Sequence, residues 1–198
     1  MQSRMMTPAD IEQVAHIHAS SLPGDFLPSL GQKFLRVFFR TAIKLPGVIS
    51  IVVEDGSVAG FTLGCLDSRS FFYDVLKRAW FQLAAAVISP IVKKPALLFK
   101  TIETFSYPKR ENSNVKPELL IIAVDANHRH RGIGRILVEQ LDHEFRARSV
   151  HVYKLTVLQE NMNANRFYQD LGFKQAGTFD LFNKQWILYE RIIPDSAQ

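Results

Sequence analysis

The stretch that most constrains this chain runs from Pro117 to Arg135. Glu118-Leu119-Leu120-Ile121-Ile122-Ala123-Val124 is a near-continuous apolar run, the pattern of a strand buried in the middle of a sheet. A polar turn follows at once, Asp125-Ala126-Asn127-His128, and then Arg129-His130-Arg131-Gly132-Ile133-Gly134-Arg135. From about Gly132 the apolar residues Ile133, Ile136, Leu137, Leu141 and Phe145 recur at helical spacing. A helix start carries N–H groups without intrahelical partners, and its dipole favours negative charge. Gly132 and Gly134 let a ligand approach the backbone closely, and Arg129, Arg131 and Arg135 add positive charge. A pyrophosphate is the natural guest. The plainer reading is a strand–loop–helix whose glycines only permit close packing. The phosphate-loop pattern needs a Gly-Lys-Ser/Thr ending, and the dinucleotide fingerprint needs three spaced glycines in a first βαβ unit; neither is present.

The flanking sequence places this unit within a mixed α/β chain. Thr7-Pro8-Ala9-Asp10 reads as a helix start, followed by Ile11, Val14, Ala15 and His18 at helical spacing and a break at Pro23-Gly24. A second helix carries Leu30, Phe34, Leu35 and Phe38 and ends at Pro46-Gly47. Val48 to Val53 and Val58 to Leu63 flank Asp55-Gly56, a hairpin signal. Residues 70–110 read as two apolar, basic helices interrupted at Pro90 and Pro95. Beyond the central helix come a strand from Val150 to Leu158, a short helix from Asn161 to Leu171 capped by Gly172, and a strand pair from Phe179 to Leu181 and Trp186 to Ile192.

Two signatures together resemble the GNAT superfamily of N-acetyltransferases. Arg129-His130-Arg131-Gly132-Ile133-Gly134 matches the family's Arg/Gln-x-x-Gly-x-Gly/Ala element. Downstream, Asn161, Ala164, Tyr168 and Leu171-Gly172-Phe173 match its second signature, separated from the first by a helix and a strand. The resemblance implies an α/β fold with a mixed, mostly antiparallel central sheet. Its fourth and fifth strands splay apart and helices flank it, with a helical insertion at about 70–110 before the fourth strand. It implies a single domain over residues 1–198. It also implies acetyl-CoA as acyl-donor cosubstrate, with the backbone of Ile122, Ala123 and Val124 along the pantetheine arm and His130 to Arg135 at the pyrophosphate. Asn161 would bond the coenzyme from the far side, with Asn165 as the nearby alternative.

The implied activity is transfer of an acetyl group to a primary amine. An alkyl ammonium has a pKa near ~10.4, so about one molecule in a few thousand is the free nucleophile at neutral pH, and the site must remove a proton. The backbone N–H near Val124 is the candidate oxyanion donor. Tyr168 matches the family's general acid, against the plainer reading of a core aromatic. Glu118 is the candidate base, resembling the glutamate of the histone acetyltransferase branch, against an edge carboxylate that faces water. By strand parity Glu118 and Val124 share a face, ~20 Å apart if the strand is straight, so either the strand bends through a bulge or the acceptor amine is reached through ordered water. A second family arrangement puts the base on the fifth strand, where this chain has Thr156.

The net charge of +5 comes without a dense Lys/Arg block with interleaved aromatics, which argues for an anionic coenzyme rather than nucleic acid. Cys65 is the only cysteine, the histidines show no metal-ligand spacing, and no metal is expected. No apolar signal core opens the chain and no run reaches the roughly 18 apolar residues of a spanning helix, so a cytoplasmic protein is expected. The expected acceptor is a small-molecule amine; a protein N-terminus or lysine, or a non-catalytic acyl-CoA-binding module, are the other readings. Residues 77–94 are apolar between Lys77-Arg78 and Lys93-Lys94. They suit a lid over the acceptor, a homodimer contact, a membrane-surface contact or a packed hairpin, and the acceptor wall is the reading preferred here.

Overall fold

The computed structural model describes residues 1–22, 26–93, 113–181 and 183–194. Edge strand β1 (Gln2–Met5) leads through a short 3-10 turn (Pro8–Asp10) into α1 (Ile11–Ser21). A single-turn helix α2 (Phe26–Ser29) and α3 (Gln32–Ala42) follow, then the hairpin β2 (Val48–Glu54) and β3 (Val58–Cys65). Helix α4 (Ser68–Lys93) precedes β4 (Glu118–Val124). The second half runs α5 (Ile133–Arg146), β5 (Val152–Leu158), α6 (Met162–Asp170), β6 (Lys174–Leu181) and β7 (Lys184–Ile192).

The seven strands form one sheet in the order β1-β2-β3-β4-β5-β7-β6. Every neighbouring pair is antiparallel except β4 with β5, which is parallel. This is the mixed, mostly antiparallel sheet that the sequence implied. Helices cover it from both sides, because alternate strand residues supply two separate cores. On one face Leu35, Phe38 and Phe39 of α3, Val14 and Ile17 of α1, and Phe71, Val75 and Leu83 of α4 pack on Val52, Phe61, Leu63, Ile121 and Ala123. On the other, Leu137, Leu141 and Phe145 of α5 and Tyr168 of α6 pack on Ile51, Leu119, Tyr153 and Leu155. Close approach of α5 needs bare backbone on β3: a Cβ at Gly64 would lie 2.8 Å from Leu141.

Several expectations shift. The chain starts with a strand, β1, that the sequence pattern did not reveal; its register places Arg4 beside Val52 at the sheet edge. Arg4 donates to both oxygens of Asp10 at 2.7 Å and also to Glu54, while Asp10 accepts the Thr7 N–H at 2.7 Å, which locks the entry to α1. The break expected at Pro90 is absent. Helix α4 passes through Pro90 and instead kinks at Ala79 (φ −136°, ψ 23°). The second helix of the insertion and its break at Pro95 lie outside the described residues.

The second core is closed by a buried ion pair. Arg191 of β7 donates to both oxygens of Asp142 of α5 (3.0 and 3.2 Å from Nε, 2.8 Å from Nη2) and to the Leu171 carbonyl. Its guanidinium also lies 5.1 Å from the centre of the Phe173 ring. Removing one member of such a pair strands the other charge away from water. Asp142→Ala is therefore expected to cost about 3 kcal/mol of stability. Urea unfolding followed by circular dichroism measures this, and a loss below about 0.5 kcal/mol, the range of ordinary surface changes, would contradict the assignment.

Candidate functional site

Strands β4 and β5 are in register at one position, Glu118 with Lys154. The Lys154 N–H donates to the Pro117 carbonyl at 3.0 Å. Beyond that point the strands part, each still paired on its outer side, β4 with β3 and β5 with β7. The gap is thus held open by two rigid walls. The Asp125 N–H bonds to the Ala59 carbonyl at 2.9 Å. By antiparallel alternation Ala123 and Ile121 then also turn their backbone groups toward β3, while Ile122 and Val124 turn theirs to the gap. The Val124 carbonyl accepts from Ser21 Oγ at 3.0 Å and Arg129 Nε at 3.4 Å.

At the mouth of the gap the chain makes a second 3-10 turn, Ala126–His128, capped by Asp125. Asp125 accepts from the Asn127 N–H at 2.9 Å and lies 3.2 Å from His128 Nδ1; these bonds pull its carboxyl below the usual range. The chain then turns through two left-handed residues, His130 (φ 61°) and Gly132 (φ 79°). Gly132 is the N-cap of α5 and offers no side-chain cap, so the first-turn N–H groups face outward. A Cβ at Gly132 would meet no atom within 4 Å, so this side of the loop is open. Gly134 is different: a Cβ there would lie 3.1 Å from the Phe167 ring, so this glycine serves the packing of α5 on α6. The side chain of Ile133 is core, and only its backbone belongs to the loop. Arg129, His130, Arg131 and Arg135 are exposed; Arg131 is 3.3 Å from Asp55, and Arg135 4.0 Å from Glu139.

The far wall is the end of β5 with α6. Asn161 caps α6, accepting the Ala164 N–H at 3.2 Å, and is exposed. Asn165 is buried and committed to the fold: its amide donates to the carbonyls of Leu158, Gln159 and Asn161 at 2.9–3.1 Å and accepts from the Tyr189 hydroxyl at 3.1 Å. Of the two asparagines, Asn161 is the exposed one. Tyr168 is buried, its ring edge-on to Phe167 and Phe173. Its hydroxyl has no hydrogen-bond partner among the described residues, and burial pushes its pKa up, so it remains a phenol through the neutral range.

Glu118 lies at the closed end of the gap, 2% exposed, with Lys154 Nζ 3.8 Å from its carboxylate. The parity expectation fails here. Leu63 pairs with Ile121 but Gly64 pairs with Leu119, so Leu120 is an extra, bulged residue. Glu118 therefore faces the α1, α3 and α4 side with Lys154, whereas Val124 packs on the α5 and α6 side. The sequence reading missed Lys154, a fully buried lysine between Tyr153 and Leu155, whose signal is one charge in an otherwise apolar strand. It also missed Ser113, whose hydroxyl donates to Glu190 at 2.9 Å and whose carbonyl accepts from Arg69 at 3.0 Å. Among the histidines, His18 is core: it lies edge-on to Phe39 and Phe61, and burial lowers its pKa to about 4.

Helix α4 leaves Tyr73, Trp80, Phe81, Ile88 and Val92 exposed, with Lys77 and Arg78 beside them. No helix among the described residues is long and apolar enough to cross a membrane.

Residues 99–173 match the Acetyltransferase (GNAT) family. A [Ribosomal protein bS18]-alanine N-acetyltransferase of Salmonella typhimurium is 41% identical over 58 residues, which cover 29% of this chain and 39% of that protein. The match thus spans about two-fifths of the curated relative's length. The fold is shared with solved structures. The ribosomal-protein-S18-alanine N-acetyltransferase of Escherichia coli superposes with a TM-score of 0.61 at 16% identity, covering 100% of this chain and 96% of that one. Ard1 of Thermoplasma volcanium gives 0.61 at 20% identity over 98% of both chains. The yncA protein of Salmonella typhimurium, solved with its cofactor acetyl-CoA, gives 0.61 at 18% identity over 100% and 96%.

The two asparagines are expected to separate in stability. Asn165→Ala leaves three carbonyls and a tyrosine hydroxyl short of a partner and should cost about 2–3 kcal/mol. Asn161→Ala removes a helix cap and should cost about 1 kcal/mol. Urea midpoints of the two variants check the order, and a reversed order would reject these roles.

Proposed function

We propose that this chain, whose residues 99–173 match the Acetyltransferase (GNAT) family, is an acetyl-CoA-dependent N-acetyltransferase acting on a primary amine of a small-molecule acceptor. The observation that supports this most is the gap between β4 and β5, which ends at an uncapped helix start flanked by left-handed His130 and Gly132. An extended thiol coenzyme with a pyrophosphate fits that shape and charge. The backbone N–H groups from His130 to Arg135 and the Arg129 and Arg131 side chains would hold the pyrophosphate. Ile122 and Val124 would line the arm through their backbone groups, with Ala123 between them bonded to β3 instead, and Asn161 would bond to it from across the gap. Bound there, acetyl-CoA supplies a thioester as acyl donor.

The protein's own groups then do three things. Glu118 takes a proton from the acceptor ammonium, directly or through a water, so that a free amine attacks. The Val124 N–H, turned into the gap, stabilises negative charge developing on the carbonyl oxygen. The Tyr168 hydroxyl donates a hydrogen bond to the departing sulfur. A phenol pushed up by burial is a weaker acid than a thiol near pKa ~8.5, so the bond stabilises the thiolate without full proton transfer. Helix α4 packs on the same side of the sheet as Glu118, which suits it to wall the acceptor.

A second reading has the α-amine of a ribosomal protein as acceptor, favoured by the curated relative's activity. Thiol release from acetyl-CoA, measured against glucosamine, spermidine and an alanine-initiated peptide, decides between the two.

Acetyl-CoA is expected to raise the melting temperature, since it binds the native state. Arg129→Glu should weaken that binding at least about tenfold, or ~1.4 kcal/mol, in calorimetry. Silence toward millimolar acetyl-CoA and other acyl-CoA species alike would sink the functional reading. Tyr168→Phe should leave acetyl-CoA affinity unchanged and slow single-turnover acetylation about 10–100-fold, at or below the low end of acid–base effects. Unchanged turnover would remove Tyr168 from the chemistry.

A further inference from the structure

We propose that Lys154 is the positioning residue of the acceptor-side base: its ammonium, set into β5 opposite the head of β4, holds the Glu118 carboxylate in place and in its ionised form. This rests on the reading of Glu118 as the base.

The placement carries the argument. Lys154 is 0% and Glu118 2% exposed. They are register partners at the point where β4 and β5 meet, and the Lys154 backbone is pinned there by its bond to Pro117. The long lysine side chain runs on the α1, α3 and α4 side of the sheet and ends 3.8 Å from the Glu118 carboxylate. Lysine and glutamate are almost never fully buried unless paired, because each charge alone loses its water without return.

The surrounding charges sharpen the assignment. On β3, Cys65 sits in register with Glu118, and burial pushes its thiol up, so it stays neutral. Asp67, in the turn after β3, faces both Cys65 and Lys154. Arg69 of α4 adds a cation near Lys154 and is bonded to the Ser113 carbonyl. Glu190 of β7 lies in register with Lys154 and accepts from Ser113 Oγ. Lys116 pairs with Asp67 at 3.8 Å, so the three carboxylates share three cations, and Lys154 is the ammonium that reaches Glu118. Burial lowers Lys154 to about 8, so it carries its charge at neutral pH and loses it as pH rises through that value.

The role follows in proton terms. The acceptor ammonium gives one proton to Glu118, and the amine keeps its electron pair for attack. A carboxylic acid formed beside an ammonium is more acidic than one buried alone, so it returns the proton to water. Lys154 ends each turnover with the proton count it began with.

The test is a carbon-13 NMR titration of the full chain labelled at glutamate Cδ and lysine Cε, with Glu118→Gln and Lys154→Met assigning the two signals. Lys154→Met should raise the Glu118 midpoint by at least about one pH unit, and Lys154→Arg should keep it near wild type. Coupling is reciprocal, so Glu118→Gln should lower the Lys154 midpoint by a similar amount. If Lys154→Met does not fold, the Glu118→Gln arm decides alone, and a Lys154 midpoint that stays put overturns the proposal. Any Glu118–Lys154 ion pair, structural or not, moves these midpoints, so the positioning role is read from the pH–rate profile of acetylation: in Lys154→Met its acid limb should shift with the Glu118 midpoint, and an unshifted limb would leave the pair a structural clasp and overturn the proposal. The base reading is tested separately with acetyl-CoA and whichever of glucosamine, spermidine or an alanine-initiated peptide releases thiol fastest. An altered pH–rate profile in Glu118→Gln with unmoved midpoints rejects Lys154 alone. An unaltered profile rejects Glu118 as base, and this role for Lys154 with it.

Discussion

Parallel strands that meet at one position and then diverge leave a row of backbone donors and acceptors along each inner edge, and the architecture of this chain follows from that. Buried N–H and C=O groups need partners. Here β4 is satisfied on its outer edge by β3, and β5 by β7 along its whole length from Val152 to Leu158. Neither strand can swing inward to close the gap without breaking an intact ladder. The inner edges therefore stay available to an extended ligand that brings its own amides, and the open helix start at Gly132 stands where such a ligand's anionic end would lie.

The bulge at Leu120 gives the same strand two sides with different work. From Ile122 onward, β4 residues with the parity of Val124 face α5 and α6, the side that holds Tyr168 and the loop glycines. Before the bulge, Glu118 faces α1, α3 and α4 with Lys154. One inserted residue thus moves the acidic group to the opposite layer from Tyr168. A straight strand would have put Glu118 among Leu137, Leu141 and Phe145, where a carboxylate finds no cation.

This is also where reading the sequence reached its limit. The loop from Asp125 to Arg135, the helix behind it and the buried strand before it were legible, because glycine positions, charge and apolar period all point one way there. The mixed sheet followed from the two signatures. A bulge was one of two ways to shorten the reach from Glu118, but its position at Leu120 left no trace, since an extra leucine in an apolar run looks like its neighbours. Strand β1 was hidden because Gln2-Ser3-Arg4-Met5 has no β-branched residue; it is held by register with β2 and by Arg4 bonding Asp10 and Glu54. The helix continues through Pro90 with helical backbone although a proline there forfeits its bond to the preceding turn, whereas Ala79 turns out of the helix with no local signal at all. Gly134 belonged to the motif, but its partner Phe167 is more than thirty residues away, beyond what a local pattern can show.

The division of the sheet into two working sides bears on how an amine and a thioester could meet. On the proposed reading, groups that hold the coenzyme lie in the gap and on the α5–α6 side, while the deprotonating pair lies on the α1–α3–α4 side. An unbroken sheet would separate them with a layer of backbone. The divergence of β4 from β5 removes that layer just beyond Glu118 and Lys154, so an acceptor entering from one side can reach a thioester lying in the gap. The pair that closes the narrow end of the gap is then also the nearest pair of charges to the amine. Its burial becomes useful, because a carboxylate shielded from bulk water and balanced by one lysine interacts strongly with a single incoming ammonium.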